Sequence, residues 1–500
     1  MAESTKERIM KVLFQSIITI VFLYTLYRAV VLQIGVTTSI RWLQKKQKEF
    51  QNTFRKITVD DPPFLILLLP VLREERELPG LLQHLSAVKY PANKIQIVVI
   101  TTEKEEFEAK SLDGQNRQST ISVAKEMVEN KNLELGKQIF LHFHYPQIVG
   151  KKADQLNFAL QEIDRLYLAP SADKTFIGVY DADSRPDVRT FEFIAWDVAN
   201  SIQQKETMPQ AYQQIPLYFK NFHTLARTFE GWLLRLEALY QTRWALGYEI
   251  PNYRSQTLLL NSSLRVSSFW NSRLCYLIGH GCFLRLDIIR QVGSFPTYSP
   301  AEDLTLGNIL SLLGIPIKTI PFFDLCEVPE SLSILFHQSR VWFATSMTIF
   351  ETIHRLQTSL KSRASETRAF YLALQRSIMH VSWAFGGIIF ISCLLGSILI
   401  DARAKIFLGL GVISGLTYTT VGIFTVIRSF RILDKLLLGV SHREWEISPA
   451  DFLSFLVLSP LKAITNCIGP VVYFCYSLWS RITLSSQAYK KTERSVSNTR

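Results

Sequence analysis

Two carboxylates, Asp181 and Asp183, directly follow an apolar run at residues 175–180. An apolar run of this length predicts a buried strand, so both side chains would lie in the turn after it. Hard divalent cations prefer oxygen ligands, and Mg²⁺ commonly combines one or two carboxylates with substrate phosphates. The pair therefore predicts a seat for Mg²⁺ or Mn²⁺. Taken alone, it is equally typical of two surface acids.

A second acidic pair, Glu302 and Asp303, follows about 120 residues later. A carboxylate can act as a general base when it lies within hydrogen-bond reach of the proton that it removes. The alternative is a structural role, because acids stabilise the N-terminal end of a helix and the residues at 304–313 are predicted to be helical. Both interpretations can hold together.

A third cluster contains Gln338, Arg340 and Trp342. The guanidinium group matches phosphate oxygens, so Arg340 is a candidate ligand for a diphosphate. Trp342 offers a flat apolar face to an acceptor molecule. The alternative is an amphipathic helix that packs on a membrane surface.

The elements that would position these residues are strands predicted at 64–69 and 94–100, with a helix at 78–87 between them. Strand, helix and strand of these lengths favour a parallel sheet. Ligands of open α/β sheets bind beyond the carboxyl ends of the strands. We therefore predict a Rossmann-like α/β domain with a mostly parallel sheet.

The composition indicates a membrane protein. The chain of 500 residues is 48% hydrophobic, and its net charge of +12 is concentrated at the ends, with +7 in residues 1–57 and +4 in residues 481–500. Basic flanks suit anionic lipid headgroups, whereas a nucleic-acid-binding protein would carry its basic patch on the folded domain. Nucleic acid is therefore excluded as a partner. The six cysteines show no paired spacing, which argues against a disulfide framework or a zinc site.

The apolar stretches predict membrane helices on both sides of the α/β domain. The predicted units are a membrane anchor at 1–40, a basic juxtamembrane segment at 41–56, the α/β domain at 57–345, interfacial helices at 346–376, a transmembrane region at 377–480 and a basic tail at 481–500. A signal peptide is the alternative for the first apolar stretch. Residues 452–479 could form one kinked span, or an interfacial helix and a shorter span. The Lys and Arg counts of the loops place the loop at 428–446 in the cytosol. The basic segment at 41–56 and the unpaired cysteines indicate that the α/β domain is cytosolic as well.

Five motifs, taken together, resemble the membrane-bound family 2 glycosyltransferases, which include cellulose, chitin and hyaluronan synthases and ceramide glucosyltransferase. The motifs are Asp181-Ala182-Asp183, residues 150–157, Gly279-His280-Gly281 with Arg285, Ala301-Glu302-Asp303, and the Gln338, Arg340 and Trp342 cluster. The resemblance covers residues 64–345. It implies a GT-A fold and inverting sugar transfer from a nucleotide-sugar, with Mg²⁺ or Mn²⁺ as cofactor.

The resemblance also implies roles for single residues. Asp303 would be the catalytic base, and Asp181 and Asp183 would hold the metal. The implied donor-binding residues are Pro70, Glu74, Glu103, Lys152, Asp154, Asp181, Asp183, Gln338 and Arg340. The implied acceptor-binding residues are His280, Gly281, Glu302 and Trp342. For His280, a packed structural histidine is an equal alternative.

The chain departs from the family pattern in two places. Thr101-Thr102-Glu103 stands where the family usually has an Asp that contacts the nucleotide base. Val341 separates Arg340 from Trp342, whereas the family usually has the two residues adjacent. These departures bear on base recognition and on processive synthesis respectively.

We therefore expect a multi-pass glycosyltransferase of the cell membrane that uses a nucleotide-sugar donor. Its acceptor would be a lipid or a polysaccharide at the cytosolic face. Membrane lipid and an export partner are the further partners to consider. A processive polysaccharide synthase is the alternative within this class. An inactive scaffold or transporter subunit is the alternative from another class.

Overall fold

The computed structural model describes residues 5–54, 61–111, 119–260, 273–359, 366–399, 404–437 and 447–483. The predicted basic tail at 481–500 lies outside this part, apart from its first three residues. The chain begins with a single helix, α1 (Thr5–Thr53), of 49 residues. This helix runs without a break through the boundary predicted at residue 40, between the anchor and the juxtamembrane segment.

The α/β part is built on one sheet of eight strands in the order β3-β2-β1-β4-β7-β6-β8-β5. The strands are β1 (Phe64–Pro70), β2 (Ile95–Thr102), β3 (Phe140–Tyr145), β4 (Thr175–Val179), β5 (Arg185–Pro186), β6 (Ala211–Leu217), β7 (Cys282–Arg285) and β8 (Ile317–Leu325). The first four strands are parallel to one another, whereas β7 runs antiparallel to both β4 and β6. The α/β architecture is confirmed, with a mixed sheet.

The strand β1 is apolar throughout, as expected where both faces of a sheet are covered. In β1, Ile66 and Leu68 belong to the core on one face. Leu65 and Leu67 belong to the core on the other face. The carboxyl ends of the strands therefore form one continuous edge, where polar residues can gather.

Helices connect and cover these strands. They are α2 (Leu78–Ser86), α3 (Glu103–Ser111), α4 (Thr120–Leu135), α5 (Lys152–Arg165), α6 (Arg189–Gln203), α7 (Phe229–Trp244), α8 (Ile250–Leu260), α9 (Leu286–Gln291) and α10 (Glu302–Leu313). A 3₁₀ turn (Ala92–Lys94) precedes β2, and a π-helical turn (Ala245–Glu249) joins α7 to α8. The predicted helix and strands at 64–100 agree with the structure to within two residues at each end.

The C-terminal part is helical. Its helices are α11 (Leu332–Ser346), α12 (Ile349–Ser359), α13 (Glu366–Leu399), α14 (Ala404–Leu416), α15 (Gly422–Leu436), α16 (Pro449–Thr465) and α17 (Ile468–Thr483), with a π-helical turn (Thr417–Val421) between α14 and α15. The segment predicted as interfacial, 346–376, contains α12 and the first turns of α13. Residues 452–479 form two helices that meet at Asn466 and Cys467, so the structure has a break in this stretch.

Four stretches of the described chain are long and apolar enough to cross a bilayer. They are Thr5–Thr53, Glu366–Ile398, Lys405–Leu436 and Pro449–Trp479. The first of these also packs against the α/β part. A Cβ atom on Gly35 of α1 would lie 2.2 Å from the carbonyl oxygen of Gly247, so the two backbones touch. Further along α1, Gln47 donates a hydrogen bond to the carbonyl oxygen of Pro321 at 2.7 Å.

Candidate functional site

Acidic side chains that are far apart in the sequence meet around the ammonium group of Lys152. Its Nζ donates to Asp181 Oδ1 at 2.6 Å and to the carbonyl oxygen of Gly279 at 2.7 Å. Glu302 Oε1 lies 3.9 Å from the same nitrogen. A Cβ atom on Gly279 would be 2.9 Å from Asp303 Oδ2 and 3.1 Å from Lys152 Nζ. The turn after β4 and the start of α10 therefore face each other across one small cluster, which we call the acidic cleft.

Lys152 reaches the cleft because it is the first residue of α5. At the start of the helix, the backbone N–H of Lys151 donates to Asp154 Oδ2 at 2.7 Å. The preceding Gly150 has a φ of 154°, a conformation that favours glycine. Asp154, predicted to contact the donor, thus has a carboxylate oxygen engaged in the cap. A helix N-terminus with exposed N–H groups is also suited to an anion.

Glu302 and Asp303 form the first turn of α10, so the structural interpretation of this pair holds together with their placement in the cleft. Burial raises the pKa of both carboxyl groups, and the charge of Lys152 opposes this shift without cancelling it. Burial disfavours the charge of Lys152 itself, but Asp181, Glu302 and Asp303 outweigh it, and its pKa is raised. The lysine therefore stays protonated beside the acids.

Close packing fixes the position of α10. A Cβ atom on Gly307 would lie 2.1 Å from the backbone nitrogen of Leu277 and 2.4 Å from the Cα of Tyr276. Only glycine allows the helix to approach this segment so closely. The first turn of the helix, with Asp303, is thereby held against Gly279.

Asp183 lies on the other side of the turn. Its Oδ2 accepts a hydrogen bond from the backbone N–H of Glu327 at 3.2 Å. Lys220 Nζ joins Glu327 Oε1 at 2.9 Å and Glu77 Oε2 at 2.5 Å. Burial raises the pKa of Glu327, and Lys220 lowers it in part. Charged groups of both signs thus surround the second carboxylate of the Asp-Ala-Asp motif.

The donor set suits a divalent cation that is shared with a substrate. Within the described ranges, no group of three or more His, Cys, Asp or Glu side chains is arranged to hold a metal ion. Asp181 and Asp183 are two hard oxygen donors in one turn, and both are partly exposed. Mg²⁺ is often bound by one or two carboxylates with substrate phosphates and water completing its shell. The residues present fit that mode of binding and would not form a closed protein cage.

His280 and Gly281, predicted to bind the acceptor, belong to a buried turn beneath the cleft. His280 Nδ1 donates to Asp324 Oδ2 at 2.7 Å. Burial opposes the imidazolium charge, but the hydrogen bond and charge of Asp324 raise the pKa of His280 to about 9. Gly281 has a φ of 67°, and a Cβ atom there would be 2.9 Å from the Cβ of Gln214. In the structure, both residues therefore shape the turn that presents Gly279.

The predicted donor-binding residues after β1 and β2 lie at the same edge of the sheet. Pro70 is the last residue of β1, and the backbone N–H of Glu74 donates to Thr120 Oγ1 at 2.9 Å. Glu103 accepts from His144 Nε2 at 3.0 Å, and His144 Nδ1 is hydrogen-bonded to Thr101 Oγ1 at 3.0 Å. This link between β2 and β3 is not predicted from the sequence alone. The alternation of His142 and His144, which puts both side chains on one face of a strand, is the only sequence feature that indicates it.

The Gln338, Arg340 and Trp342 cluster is divided between two environments on α11. Arg340 Nη2 donates to His337 Nδ1 at 3.0 Å, and its guanidinium lies 5.1 Å from the ring centre of Tyr476. Gln338 Oε1 is buried and has no hydrogen-bond partner in the described part of the chain. Residues two apart on a helix point about 200° away from each other. Arg340 and Trp342 therefore face different directions, and only Trp342 shares a wall with Asp303.

That wall belongs to a cavity of about 800 Å³ between the α/β part and the helices that are long and apolar enough to cross a bilayer, which we call the chamber. Asp303 and Trp342 line it together with residues from α1, α7, α13, α14, α16 and the two π-helical turns. One of its acids is Glu249, whose Oε1 accepts from the hydroxyl of Tyr276 at 2.6 Å. Burial raises the pKa of Glu249 to about 7. The sequence reading did not identify Glu249, because a single acid in an aromatic segment has no distinctive spacing.

Comparison with known proteins adds only distant similarities. No protein-family model and no curated protein sequence matches this chain. Among solved structures, it is similar to mannosyltransferase PcManGT from Pyrobaculum calidifontis in complex with GDP-Man and Mn²⁺, at 11% identity and a TM-score of 0.38, over 81% of this chain and 98% of that one. It is also similar to residues 1–349 of S. aureus TarS in complex with UDP-GlcNAc, at 13% identity and a TM-score of 0.37, over 83% of this chain and 92% of that one. Both TM-scores are below 0.5, so the functional argument depends on the geometry of the acidic cleft and the chamber.

Proposed function

We propose that this chain is a membrane-embedded inverting glycosyltransferase with a GT-A fold, of the family 2 type. It would move a sugar from a nucleotide-sugar donor to a hydroxyl group of a lipid or polysaccharide at the cytosolic face of the cell membrane. The observation that carries the proposal is the convergence of Asp181, Lys152 and Asp303 at the carboxyl edge of the sheet, next to a chamber between membrane helices. This arrangement would put the donor site next to the entry path of the acceptor.

The donor would bind at the Asp-Ala-Asp turn. Asp181 and Asp183 would hold Mg²⁺ or Mn²⁺, which would neutralise charge on the departing nucleotide diphosphate. Lys152 keeps its positive charge among the acids and holds Asp181 in place through the bond at 2.6 Å. The N–H groups at the start of α5 would face the same diphosphate, since helix N-termini favour anions.

The acceptor hydroxyl would bind on the chamber side, next to Asp303. Its oxygen would attack the anomeric carbon from the face opposite the diphosphate. The new bond from oxygen to carbon forms as the bond to the diphosphate breaks, so the configuration at that carbon inverts. Asp303 would take the hydroxyl proton, which requires its carboxylate form. Trp342 would place an apolar face beside the acceptor.

The test is release of nucleotide by the purified full-length protein in detergent, measured over a panel of UDP-, GDP- and other nucleotide-sugars. We expect one donor to release nucleotide with Mn²⁺ or Mg²⁺, and the release to stop when EDTA is added. D183N should lower the rate at least about a hundredfold, because it removes a charged ligand. The matched control is D164N, since Asp164 lies on the surface in an ion pair with Arg290.

Two results would contradict the proposal. Equal release by D183N and the wild type would remove the carboxylates of the turn from the reaction. No release from any donor with either cation, by protein that remains folded, would favour the inactive scaffold or transporter subunit.

A further inference from the structure

The chamber changes in character along its length. On α13, Arg376, His380 and Trp383 lie on one face at helical spacing and line the end near the cleft. Arg376 lies 5.4 Å from the ring centre of Tyr276, the residue against which Gly307 of α10 packs. The far end is apolar, and a Cβ atom on Gly411 there would lie 2.6 Å from the ring of Phe22 and 2.9 Å from a methyl group of Leu394. A polar end and an apolar end in one cavity are the two environments of a membrane lipid.

Arg376 has no anion of its own. It is 4% exposed, its Nη2 donates to Ser346 Oγ at 2.8 Å, and its Nε has no hydrogen-bond partner in the described residues. Across the ranges that the structure describes, no carboxylate forms an ion pair with it. His380, one turn further along, is also 4% exposed, and its Nε2 likewise lacks a partner there.

The other two buried cations of the chamber have no nitrogen that lacks a partner in the described residues. Lys462 forms an ion pair with Glu237. Arg243 has no carboxylate partner there, but it donates to the carbonyl oxygen of Tyr418 and lies over its ring. A buried guanidinium without an anion is costly, and such residues within membrane helices usually mark a functional site. Arg376 Nε and His380 Nε2 are thus available for a ligand at the polar end of the chamber.

We propose that the chamber binds a membrane phospholipid, with its phosphate against Arg376 and His380 and its chains along the apolar end. The headgroup would carry the acceptor hydroxyl, which would reach Asp303. This inference deepens the proposed function and depends on it for the fate of the hydroxyl. A polysaccharide is a poorer match, because its many hydroxyl groups would face apolar walls without hydrogen-bond partners.

The test measures lipid binding and needs no catalysis. Trp244, Trp342 and Trp383 line the chamber, so a lipid with brominated chains bound there would quench their fluorescence. The probe is brominated phosphatidylglycerol in detergent micelles with the full-length protein. Unlabelled phosphatidylglycerol and unlabelled diacylglycerol with the same chains serve as competitors. We expect saturable quenching that phosphatidylglycerol reverses at about tenfold lower concentration than diacylglycerol, since a hydrogen bond to a charged group is lost without the phosphate.

R376Q should weaken binding of the brominated lipid about tenfold or more, for the same reason. The matched control is R368Q, because Arg368 lies two turns earlier on α13, is half-buried and does not line the chamber. It should bind as the wild type does. The comparison of the two competitors uses wild-type protein, so it stands even if R376Q fails to fold.

Three results would overturn the inference: no saturable quenching, equal competition by the two lipids, or displacement of the probe by inorganic pyrophosphate as effectively as by phosphatidylglycerol. The last would assign Arg376 to a diphosphate. Lipid binding without nucleotide release from any donor would leave the lipid site in place and contradict the glycosyltransferase proposal. Nucleotide release without a preference for the phospholipid would support the glycosyltransferase proposal and contradict the lipid site.

Discussion

Replacing Lys152 with methionine tests how the acidic cleft keeps its base ionised. A Cβ atom on Gly279 would be 3.1 Å from the ammonium nitrogen and 2.9 Å from Asp303 Oδ2, so these two atoms are at most 6.0 Å apart. At an effective dielectric constant of about 20, two unit charges about 6 Å apart interact by about 3 kcal/mol, equivalent to about two pH units. Because water would take part of the vacated space, we expect a smaller effect, of at least about one pH unit.

The sign of the effect follows from the base role of Asp303. Burial raises its pKa and Lys152 lowers it. Transfer needs the carboxylate, so activity is present above this pKa and is lost as the pH falls through it. K152M should raise the pKa further and move the acid limb of the pH–rate profile upward.

The assay is the initial rate of sugar transfer at saturating donor between about pH 5 and pH 9. The control is K151M, because the neighbouring lysine donates to the carbonyl oxygens of Thr297 and Ser299, at 3.3 and 3.4 Å, and touches no acid of the cleft. An acid limb of K152M that coincides with that of the wild type would refute the reasoning. So would an equal movement in K151M.

Two further predictions concern stability in detergent. The pKa of His280 is about 9 in the folded protein, against 6.5 for the free side chain. Protonation of His280 therefore stabilises the fold by about 3 kcal/mol below pH 6.5, and this stabilisation is lost as the pH rises through 9. Thermal unfolding should show this decline in the wild type and in H354N, which alters an exposed histidine, but not in H280N; a sloping profile in H280N would contradict it. Gly35→Ala should cost about 1–3 kcal/mol because its methyl group would meet a carbonyl oxygen at 2.2 Å, whereas Gly409→Ala, with nothing within 4 Å, should not destabilise. Equal unfolding temperatures for these two variants would show that α1 does not dock through this glycine.

The strands and the meeting of the acids could be predicted from the sequence. The apolar run at 64–69 is bounded by polar residues and proline, which makes its ends easy to predict. The observed strand ends at Pro70, one residue beyond the predicted end. The rule that ligands bind beyond the carboxyl ends of strands placed Asp181 near the later acids. The family resemblance predicts Asp303 as the base. Neither prediction depends on knowing which side chain each residue contacts in the fold.

Other features depend on contacts that a sequence pattern does not contain. β7 has four residues, too few for its antiparallel direction to be read from periodicity. The chamber forms because α1 packs beside α14 and α15, which lie nearly 400 residues later in the chain. The sequence alone therefore predicts that Arg376 is the last residue of an interfacial segment, whereas it lies within α13. The opposite directions of Arg340 and Trp342, in contrast, follow from helical geometry alone and could have been foreseen.

Sugar transfer by D303N, with the donor identified in the nucleotide-release screen, decides whether Asp303 is the base. We expect transfer to fall at least about a thousandfold, while metal-dependent binding of the nucleotide, measured by calorimetry, stays within about threefold of the wild-type value. This pattern would separate a base on the acceptor side from the carboxylates on the donor side. Full transfer activity in D303N would show that Asp303 is not the base.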